Sequence, residues 1–245
     1  MNQVMIIIPT YNERDNIAPL ITAIFQEVPQ ANILIVDDNS PDGTGEFCDE
    51  LAAENRQIQV LHRARKMGLG TAYREGFRLA LEAGMDYIIE MDADFSHDPK
   101  ILKVFLAEIE QHGVVIGSRF CRGVSVVNWP LRRLVLSLLA SMYVRFVTGL
   151  NLSDTTTGYK CFRRDVLAKI DLDRIMSQDY AFQIEMNYWA MRLGYSIKEV
   201  PIIFIDRHSG TSKMSTGIIN EALFLPWQLR LRDLFGNSPI KKKVS

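Results

Sequence analysis

The sequence predicts an α/β fold with a mainly parallel central sheet. Through the first half of the 245-residue chain, short apolar runs alternate with longer segments of helical periodicity. The apolar runs are nearly continuous, which is typical of strands that are buried on both faces. With 47% hydrophobic and 23% charged residues, the composition is that of an ordinary globular protein. The alternation of strands and helices therefore favours parallel strands that are covered by helices.

Each element of the first half can be placed in order. The predicted strands are 4–8, 33–36, 58–61, 87–91 and 114–116, and the predicted helices are 16–28, 44–55, 70–83 and 99–111. The stretch SPDGT at 40–44 predicts a turn before a helix cap, and Asp98 followed by Pro99 predicts an N-cap with proline in the first helical position. In parallel sheets, ligands gather at the carboxyl ends of the strands, so polar residues there are the first candidates for a site.

The second half is less regular. Residues 131–147 carry an apolar stripe at helical spacing, and 196–207 predicts a strand in which Pro201 favours an edge position. A last helix is predicted at 220–235, with an interruption near Pro226. Since no repeat or linker is evident, we expect a single domain over 1–235, followed by a basic tail over 236–245.

Several classes of protein are disfavoured. A formal net charge of −1 gives no overall basic field, so we expect no nucleic-acid partner. The three cysteines have no paired spacing, which favours reduced thiols in the cytoplasm. The first apolar run lacks the features of a signal peptide, and no apolar stretch has the length of a transmembrane helix.

Three predicted strands end in clusters of polar residues: PTYNE at 9–13, DDNSPDGT at 37–44 and DADFSHD at 92–98. In an extended backbone, Asp92 and Asp94 can face the same way. Two carboxylates about 4 Å apart repel by roughly 4 kcal/mol at an effective dielectric constant of 20. A divalent cation would reverse that penalty, and oxygen ligands select Mg²⁺ or Mn²⁺. Such an ion is needed most where the bound ligand is itself anionic, as a diphosphate is.

The stretch KMGLGTAYREG at 66–76 contains three glycines but does not fit the dinucleotide fingerprint G-x-G-x-x-G, because Tyr73 stands where the third glycine belongs. A dehydrogenase that binds NAD is therefore disfavoured. Gly68 and Gly70 have two interpretations: a loop followed by a helix start, or a close approach of the backbone to a ligand.

With these residues in view, the sequence resembles the dolichol- and polyprenol-phosphate mannosyltransferases, which are family-2 inverting glycosyltransferases. The resemblance covers most of residues 4–216, and its most specific segments are MDADFSHDP and DRHSGTSKM. It implies a glycosyltransferase A-type, Rossmann-like fold, with a nucleotide-sugar half over 1–118 and an acceptor half over 119–235. The signature Q-x-x-R-W of processive synthases is missing, so a polymerising enzyme is not expected.

The resemblance implies a role for each motif residue. Those that would bind the nucleotide sugar are Pro9, Tyr11, Glu13, Val36, Asp38, Asp92, Ala93, Asp94, Arg207 and Lys213. Asp92 and Asp94 would carry the metal. Some relatives have a glutamine metal ligand two residues later, but this chain has Ser96, so the third ligand stays open. Those that would meet the acceptor phosphate are Arg119, Arg132 and Arg133. The residues expected to be catalytic are Asp94, Arg119, Arg133, Arg207 and Lys213.

The expected reaction is mannosyl transfer from GDP-mannose to a polyprenyl phosphate with inversion. A lipid monophosphate has its second pKa near about 6 and needs no general base. If the acceptor were a sugar hydroxyl, Asp179 or Glu185 would be the candidate bases. His97 is expected to make structural hydrogen bonds. The alternatives are a UDP-sugar donor and a non-catalytic module that binds sugar nucleotides or lipids; the resemblance alone favours GDP-mannose.

A polyprenyl acceptor implies contact with a membrane. The stripe at 131–147 is compatible with either an interfacial helix or a helix packed on the core, and 223–235 is a second candidate. Lys241–Lys243 could approach anionic lipid, but a solvated tail is the alternative that we favour. We expect a peripheral enzyme on the cytoplasmic face of a membrane, bound directly or through a separate membrane subunit.

Overall fold

A computed structural model describes residues 2–205 and 216–241, without the side chains of 216–220 and 222. The strands of these residues are β1 Val4–Thr10, β2 Asn32–Asp37, β3 Ile58–His62, β4 Tyr87–Glu90, β5 Val114–Ser118, β6 Val126–Val127, β7 Lys160–Arg163, β8 Ile197–Pro201 and β9 Phe204–Ile205. The helices are α1 Arg14–Glu27, α2 Thr44–Glu54, α3 Leu69–Glu82, α4 Leu102–Glu108, α5 Leu131–Thr148, α6 Arg164–Ala168, α7 Ala181–Arg192 and α8 Thr216–Leu234. Short 3₁₀ turns cover Pro99–Ile101 and Leu172–Arg174.

Seven strands form one sheet in the order β3-β2-β1-β4-β7-β5-β8. All neighbouring pairs are parallel except those of β7, which runs antiparallel to both β4 and β5. The small strands β6 and β9 pair separately and in parallel. The prediction of a mainly parallel sheet is confirmed, and the two predicted halves of the chain share this one sheet.

The sheet is buried on both faces, which explains the continuous apolar runs. Met5 and Ile7 of β1 pack on one side with α3 and α7, in a cluster that includes Phe77 and Trp189. The alternate residues of β1 pack on the other side with α1 and α4. Because successive side chains of a strand point to opposite faces, a strand with helices on both sides must be apolar at every position.

The five strands and four helices predicted in the first half are confirmed, with ends that shift by a few residues. The predicted helix 99–111 is shorter, since it consists of the 3₁₀ turn and α4. Its start is as expected: the Asp98 carboxylate accepts a hydrogen bond from the backbone N–H of Lys100, and Pro99 is the first residue of the turn. The predicted strand 196–207 is two strands, β8 and β9, and its residues 206 and 207 lie outside the described residues.

Three details of the second half differ from the predictions. Strand β7 was not predicted. Helix α8 continues through Pro226 without the expected interruption. The segment after α8 is not simply a solvated tail, because Ile240 forms an antiparallel bridge with Ile170 and the backbone N–H of Lys241 donates to the carbonyl of Lys169. Residues 242–245 of the predicted basic tail lie outside the described residues.

Helix α5 turns most of its apolar stripe outward. Its buried residues are Ser141, Val144, Val147 and Thr148. Its exposed apolar residues are Leu131, Val135, Leu136, Leu139, Met142 and Phe146. Those on the neighbouring α8, or directly after it, are Leu223, Phe224, Trp227, Leu231, Leu234 and Phe235. We call these two sets together the α5–α8 apolar face. Within the described parts of the chain, no helix is both long enough and apolar enough to span a bilayer.

Candidate active site

The loops after β1 and β2 are joined by hydrogen bonds at the carboxyl edge of the sheet. The backbone N–H of Asn12 donates to Ser40 Oγ, and that of Glu13 donates to Thr44 Oγ1, each at 3.0 Å. Beneath them, the buried Asp37 carboxylate accepts from Ser40 Oγ at 2.6 Å and from Thr10 Oγ1 at 3.0 Å. The segments predicted to hold the nucleoside therefore form one continuous rim.

Backbone strain concentrates at this edge. Among the described residues, four that are not glycine have a positive φ, and three of them follow β1, β2 and β4: Asn12 at 63°, Asn39 at 57° and Phe95 at 60°. The left-handed region is uncommon for residues other than glycine, and asparagine tolerates it better than phenylalanine does. Strain of this kind is concentrated at functional sites, where the surrounding structure holds it in place.

Asp92 and Asp94 lie just beyond β4 and are both partly exposed. The Tyr73 hydroxyl, which is buried on α3, donates to Asp92 Oδ1 at 3.4 Å, and the backbone N–H of Ser96 donates to Asp94 Oδ1 at 3.0 Å. Burial, together with the negative charge of Asp92, raises the pKa of Tyr73 well above its ordinary value, so this hydroxyl stays protonated. The two carboxylates are thus held at the same strand end, as predicted.

His97 makes the structural contacts that were expected of it. Its Nδ1 accepts a hydrogen bond of 3.0 Å from the backbone N–H of Asp92, and its ring stacks on Tyr159 with 4.6 Å between centroids. Its Nε2 lies 3.8 Å from Asp92 Oδ2. Burial lowers the pKa of His97, although the nearby carboxylates oppose that shift. A neutral ring that accepts at Nδ1 carries its proton at Nε2, facing Asp92.

Asp38, predicted to bind the nucleoside, is buried beside Arg63. Arg63 Nε donates to Asp38 Oδ1 at 2.5 Å, and Arg63 Nη1 donates to Thr71 Oγ1 at 2.6 Å. Burial raises the pKa of Asp38, while Arg63 opposes the rise. At the rim above, Lys66 Nζ lies 4.3 Å from the centre of the exposed Tyr11 ring.

The two glycines of the 66–76 stretch approach protein rather than an open ligand site. A Cβ atom on Gly70 would lie 2.7 Å from Phe182 Cβ, and one on Gly68 would lie 2.7 Å from the carbonyl oxygen of Gln178. Gly68 also has φ at 94°. Of the two interpretations, the structure supports the loop and helix start, with α3 packed tightly on the start of α7.

Arg119 was predicted to meet phosphate, yet its guanidinium is buried against Asp154. Nε donates to Asp154 Oδ2 and Nη2 donates to Asp154 Oδ1, both at 2.6 Å, and Nη2 also donates to Thr156 Oγ1 at 2.8 Å. Burial alone would raise the pKa of Asp154, but Arg119 outweighs it and holds that pKa below its ordinary value. In this structure Arg119 therefore anchors the segment 154–156, and its contact with phosphate stays a prediction.

The two arginines that begin α5 have different surroundings. Arg132 is exposed, whereas Arg133 is half-buried. Arg133 Cζ lies 4.0 Å from the centre of the Trp129 ring. Trp129 had not been singled out from the sequence, although its place directly before Pro130 and the arginine pair was a signal.

Two buried ionisable residues of opposite type lie on neighbouring strands near Asp92. Glu90 of β4 and Lys160 of β7 are direct neighbours across the two strands, and both are fully buried. Burial raises the pKa of Glu90 and lowers that of Lys160, and each residue's charge opposes the shift of the other. Lys160 Nζ donates to the carbonyl of Gln183 at 2.8 Å, while neither oxygen of Glu90 has a hydrogen-bond partner in the described structure.

The two candidate bases for a hydroxyl acceptor differ. Glu185 is fully buried, accepts hydrogen bonds from Ser177 and Trp189, and lies 3.5 Å from Arg232 Nη1. It therefore stabilises the fold and is not available as a general base. Asp179 is partly exposed beside Gly68 and does not cap α7 with its side chain.

The oxygen atoms at the end of β4 suit a cation whose remaining ligands come from a bound substrate. Among the residues that the structure describes, no three His, Cys, Asp or Glu side chains are grouped closely enough to hold a metal ion. A site of two carboxylates is nevertheless usual for Mg²⁺ when phosphate oxygens of a substrate complete the coordination. Ser96 Oγ is buried beside them with no hydrogen-bond partner in the described structure, so it is an additional oxygen at this end.

The remaining predicted residues are placed as follows. Pro9 and Glu13 are partly exposed at the rim, Val36 is buried in β2, and Ala93 is buried between the two aspartates. Arg207 and Lys213 lie outside the described residues, so their approach to a diphosphate stays a prediction.

Comparison with known proteins shows the family of this chain. The profile of the family described as "Glycosyl transferase family 2" matches residues 5–171. The chain is 48% identical over 221 residues to an undecaprenyl-phosphate mannosyltransferase of Micrococcus luteus, covering 90% of this chain and 91% of that protein. It is 47% identical over 232 residues to a polyprenol monophosphomannose synthase of Mycolicibacterium smegmatis, covering 93% and 88%.

Solved structures share the fold at low sequence identity. Glucosyl-3-phosphoglycerate synthase from Mycobacterium tuberculosis, in complex with Mn²⁺, UDP and glucosyl-3-phosphoglycerate, superposes with a TM-score of 0.61 at 15% identity, covering 99% of this chain and 82% of that one. A complex of the same enzyme with Mn²⁺, UDP and phosphoglyceric acid gives 0.64 at 16% identity. The expected glycosyltransferase A-type fold is confirmed. Because the profile matches residues 5–171, which is more than half of the chain, and two relatives of 47–48% identity align over 88–91% of their length, this chain is a member of glycosyl transferase family 2.

Proposed function

We propose that the protein transfers mannose from GDP-mannose to a polyprenyl monophosphate with inversion, giving a lipid phosphate that carries β-mannose. The observation that carries this proposal is the identity of 47–48% with two relatives that are named for transfer of this type. The arrangement of acidic residues at the β4 end and arginines at the start of α5 supports it.

At the donor end, Asp92 and Asp94 would hold the divalent cation, Mg²⁺ or Mn²⁺. When bound, the ion would offset the negative charge that develops on the departing diphosphate. The chain's own part is to orient both carboxylates, through the backbone N–H of Ser96, the Tyr73 hydroxyl and His97. Arg207 and Lys213 would approach the same diphosphate from the segment after β9.

The nucleoside would lie on the joined loops of β1 and β2. The proposed contacts at the rim are Pro9, Tyr11, Glu13 and Lys66, and those buried below it are Val36 and Asp38. In this proposal, residues 1–118 supply the nucleotide-sugar half of the domain and 119–235 supply the acceptor half.

At the acceptor end, the nucleophile would be a phosphate oxygen that is already anionic near neutral pH. Such a nucleophile needs cations to orient it rather than a general base. Arg132 and Arg133 begin α5, and Arg119 lies behind them on Asp154. The burial of Glu185 among its own partners agrees with a reaction that does not use it as a base.

The α5–α8 apolar face is the proposed contact with the membrane that contains the lipid acceptor. It presents aromatic and aliphatic side chains next to Arg132, a combination typical of helices at the surface of a bilayer. We propose peripheral association with the cytoplasmic face, which would bring the start of α5 to the level of the lipid phosphate. A separate membrane subunit is the alternative means of attachment.

The test is a transfer assay with radiolabelled GDP-mannose or UDP-glucose, polyprenyl phosphate and either Mn²⁺ or Mg²⁺. We expect label to enter the organic phase from GDP-mannose only. We expect EDTA or the substitution Asp94→Ala to reduce transfer by at least about 100-fold, since a bound metal contributes several kcal/mol to transition-state stabilisation and each 1.36 kcal/mol is a factor of ten.

A matched control is Asp98→Ala, which changes an exposed carboxylate on the same loop that caps a 3₁₀ turn. It should keep most of the activity. Transfer of label from UDP-glucose, and not from GDP-mannose, would mean that the donor is a UDP-sugar. Donor binding that depends on metal, without any transfer, would favour a binding module over an enzyme.

A further inference from the structure

Phe95 is an exposed aromatic residue in the loop that carries the two aspartates. It stands between Asp94 and Ser96 in the chain, and 41% of its side chain is exposed. It belongs to neither of the two apolar clusters that the structure describes in the core. Two other apolar residues of this segment, Met91 and Ala93, are buried. Phe95 therefore presents an apolar side chain to solvent, next in the chain to a carboxylate that is expected to hold the metal.

The backbone of Phe95 is in the left-handed region, with φ at 60°. Two other strand ends at this edge of the sheet place a residue in the same region, and both use asparagine: Asn12 after β1 and Asn39 after β2. Asparagine tolerates this region, whereas a bulky residue is strained there. The backbone N–H of Ser96 donates to Asp94 Oδ1 at 3.0 Å and closes the turn around Phe95. That turn does not require a phenylalanine and would be less strained with asparagine.

The strain at Phe95 is not explained by packing within the described chain. Strained backbone in native proteins is concentrated at sites that bind ligands. In parallel sheets, ligands bind at the carboxyl ends of the strands, and Phe95 follows β4 at that edge. A side chain that is bulky, strained and exposed at this place is therefore expected to contact a ligand.

The position of the loop indicates which part of a substrate reaches the ring. In the proposed reaction, Asp92 and Asp94 would hold the cation on the departing diphosphate. The acceptor phosphate must come within about 3–3.5 Å of the sugar carbon that this diphosphate leaves. The first isoprene unit of the acceptor is bonded to that phosphate, so it also comes close to the loop. Of the groups that meet there, the isoprene unit is the one that is wholly apolar.

We propose, on the basis of the function proposed above, that Phe95 contacts the first isoprene unit of the polyprenyl phosphate. The contact removes apolar surface of both groups from water, which favours binding roughly in proportion to the area that is covered. Phe95 is thus a specificity-determining residue for the acceptor, and it distinguishes a polyprenyl phosphate from a phosphate without an apolar chain.

The substitution Phe95→Asn separates a role in binding from a role in folding. Since asparagine tolerates the left-handed backbone, this variant should unfold within about 2 °C of the wild type or at a higher temperature. Thermal unfolding followed by circular dichroism would measure this. A fall of more than about 2 °C would mean that the ring supports the fold, and would overturn the proposal.

The transfer assay compares Phe95→Asn with Phe95→Leu, which keeps an apolar side chain at the same place. We expect the asparagine variant to raise the KM for polyprenyl phosphate about fivefold or more, with the KM for GDP-mannose within about twofold of the wild type. The leucine variant should raise the acceptor KM about threefold or less. A smaller rise with asparagine, an equal rise with leucine, or a change mainly in donor KM would contradict the proposed contact.

Methyl phosphate distinguishes contact with the isoprene unit from contact with the phosphate. It carries a phosphate without an isoprene unit, and we expect Phe95→Asn to change its inhibition constant by less than about twofold. An equal loss of affinity for methyl phosphate and polyprenyl phosphate would mean that Phe95 acts on the phosphate, against the proposal. The matched control is Val104→Asn on α4, whose side chain is also 41% exposed and which should leave both constants unchanged.

Failure of this inference is distinguishable from failure of the proposed function. A wild-type protein that transfers no mannose to polyprenyl phosphate contradicts the function and removes this role with it. A wild-type protein that transfers mannose, with an acceptor KM that Phe95→Asn does not alter, contradicts the role of Phe95 alone.

Discussion

Arg119 was singled out from its sequence motif, whereas its buried partner Asp154 was not. The arginine of GSRF is visible in the sequence, but its carboxylate partner is 35 residues away and carried no signal of its own. The cost of burying an ion depends on whether a partner is present, and only the fold brings the partner to it. The same holds for Glu90 and Lys160, which become neighbours only when β7 inserts beside β4.

We expect Asp154→Asn to lower the free energy of unfolding by about 3–5 kcal/mol, because it leaves the Arg119 guanidinium buried without its counter-ion. Urea unfolding followed by circular dichroism would measure this. The control is Asp173→Asn, which removes the partner of Arg78 at the surface, where Asp173 is 78% exposed. That change should stay within about 0.5 kcal/mol. Equal losses in both variants would contradict the structural role of the Arg119–Asp154 pair.

The same pair predicts a pH dependence. Arg119 holds the pKa of folded Asp154 below its ordinary value, in opposition to burial. A depressed folded pKa contributes stability that is present above the unfolded pKa of about 3.9 and is lost as the pH falls through the folded value. The difference in stability between wild type and Asp154→Asn should therefore shrink below about pH 4. A difference that grows in acid would contradict this assignment.

At the scale of elements, the alternation of strands and helices was sufficient to predict the first half of the fold. Continuous apolar runs and turn residues are local signals, and β1 to β5 carry them. Strand β7 has four residues, two of which are charged, so no periodicity indicates it. Its antiparallel pairing depends on the long connection through α5, which the local sequence does not encode.

The packing of α3 against the start of α7 gives a prediction for Gly70. We expect Gly70→Ala to lower stability by about 1–3 kcal/mol, because the new Cβ would lie 2.7 Å from Phe182 Cβ. Thermal and urea unfolding would measure this. The matched control is Gly158→Ala, where the nearest atom would be 3.6 Å away and stability should change by less than about 1 kcal/mol. If Gly70 instead serves a ligand, its alanine variant would keep full stability and lose donor affinity.

At the scale of the whole molecule, the α5–α8 apolar face distinguishes two interpretations that the sequence had left open. The stripe at 131–147 was compatible with a core helix or an interfacial one. Phe146 is 86% exposed and Leu131 is 73% exposed, so most of the stripe does not pack on the core of this chain. Large exposed apolar patches mark sites of interaction with proteins or membranes.

We expect the wild-type protein to float with anionic phospholipid vesicles at low salt. The double substitution Leu139→Glu/Phe146→Glu should reduce the bound fraction about tenfold or more, because it removes apolar contact and adds negative charge. The control is Val104→Glu, an exposed valine on α4 outside this face. A wild-type protein that never floats would favour attachment through a separate membrane subunit. A variant that floats as well as the wild type would contradict this use of the face.

The candidate site was predicted in outline from three strand ends, and the resemblance assigned the roles. Asp92, Asp94 and the rim loops do lie at one edge of the sheet. Tyr73, which donates to Asp92, and Asp154, which pairs with Arg119, were not predicted, because each acts through contacts between distant parts of the chain. Sequence motifs indicate the residues that contact ligands. The residues that orient them can be identified only from the tertiary structure.

The most direct test of the central claim is the anomeric configuration of the product. Purified protein, GDP-mannose, polyprenyl phosphate and Mn²⁺ should give a lipid-soluble mannosyl phosphate, whose linkage can be read by NMR. Because the donor is α-linked and the proposed displacement is a single step from the opposite face, the account predicts β-mannose on the lipid phosphate. An α-linked product, or mannose that reaches water but not the lipid, would contradict it.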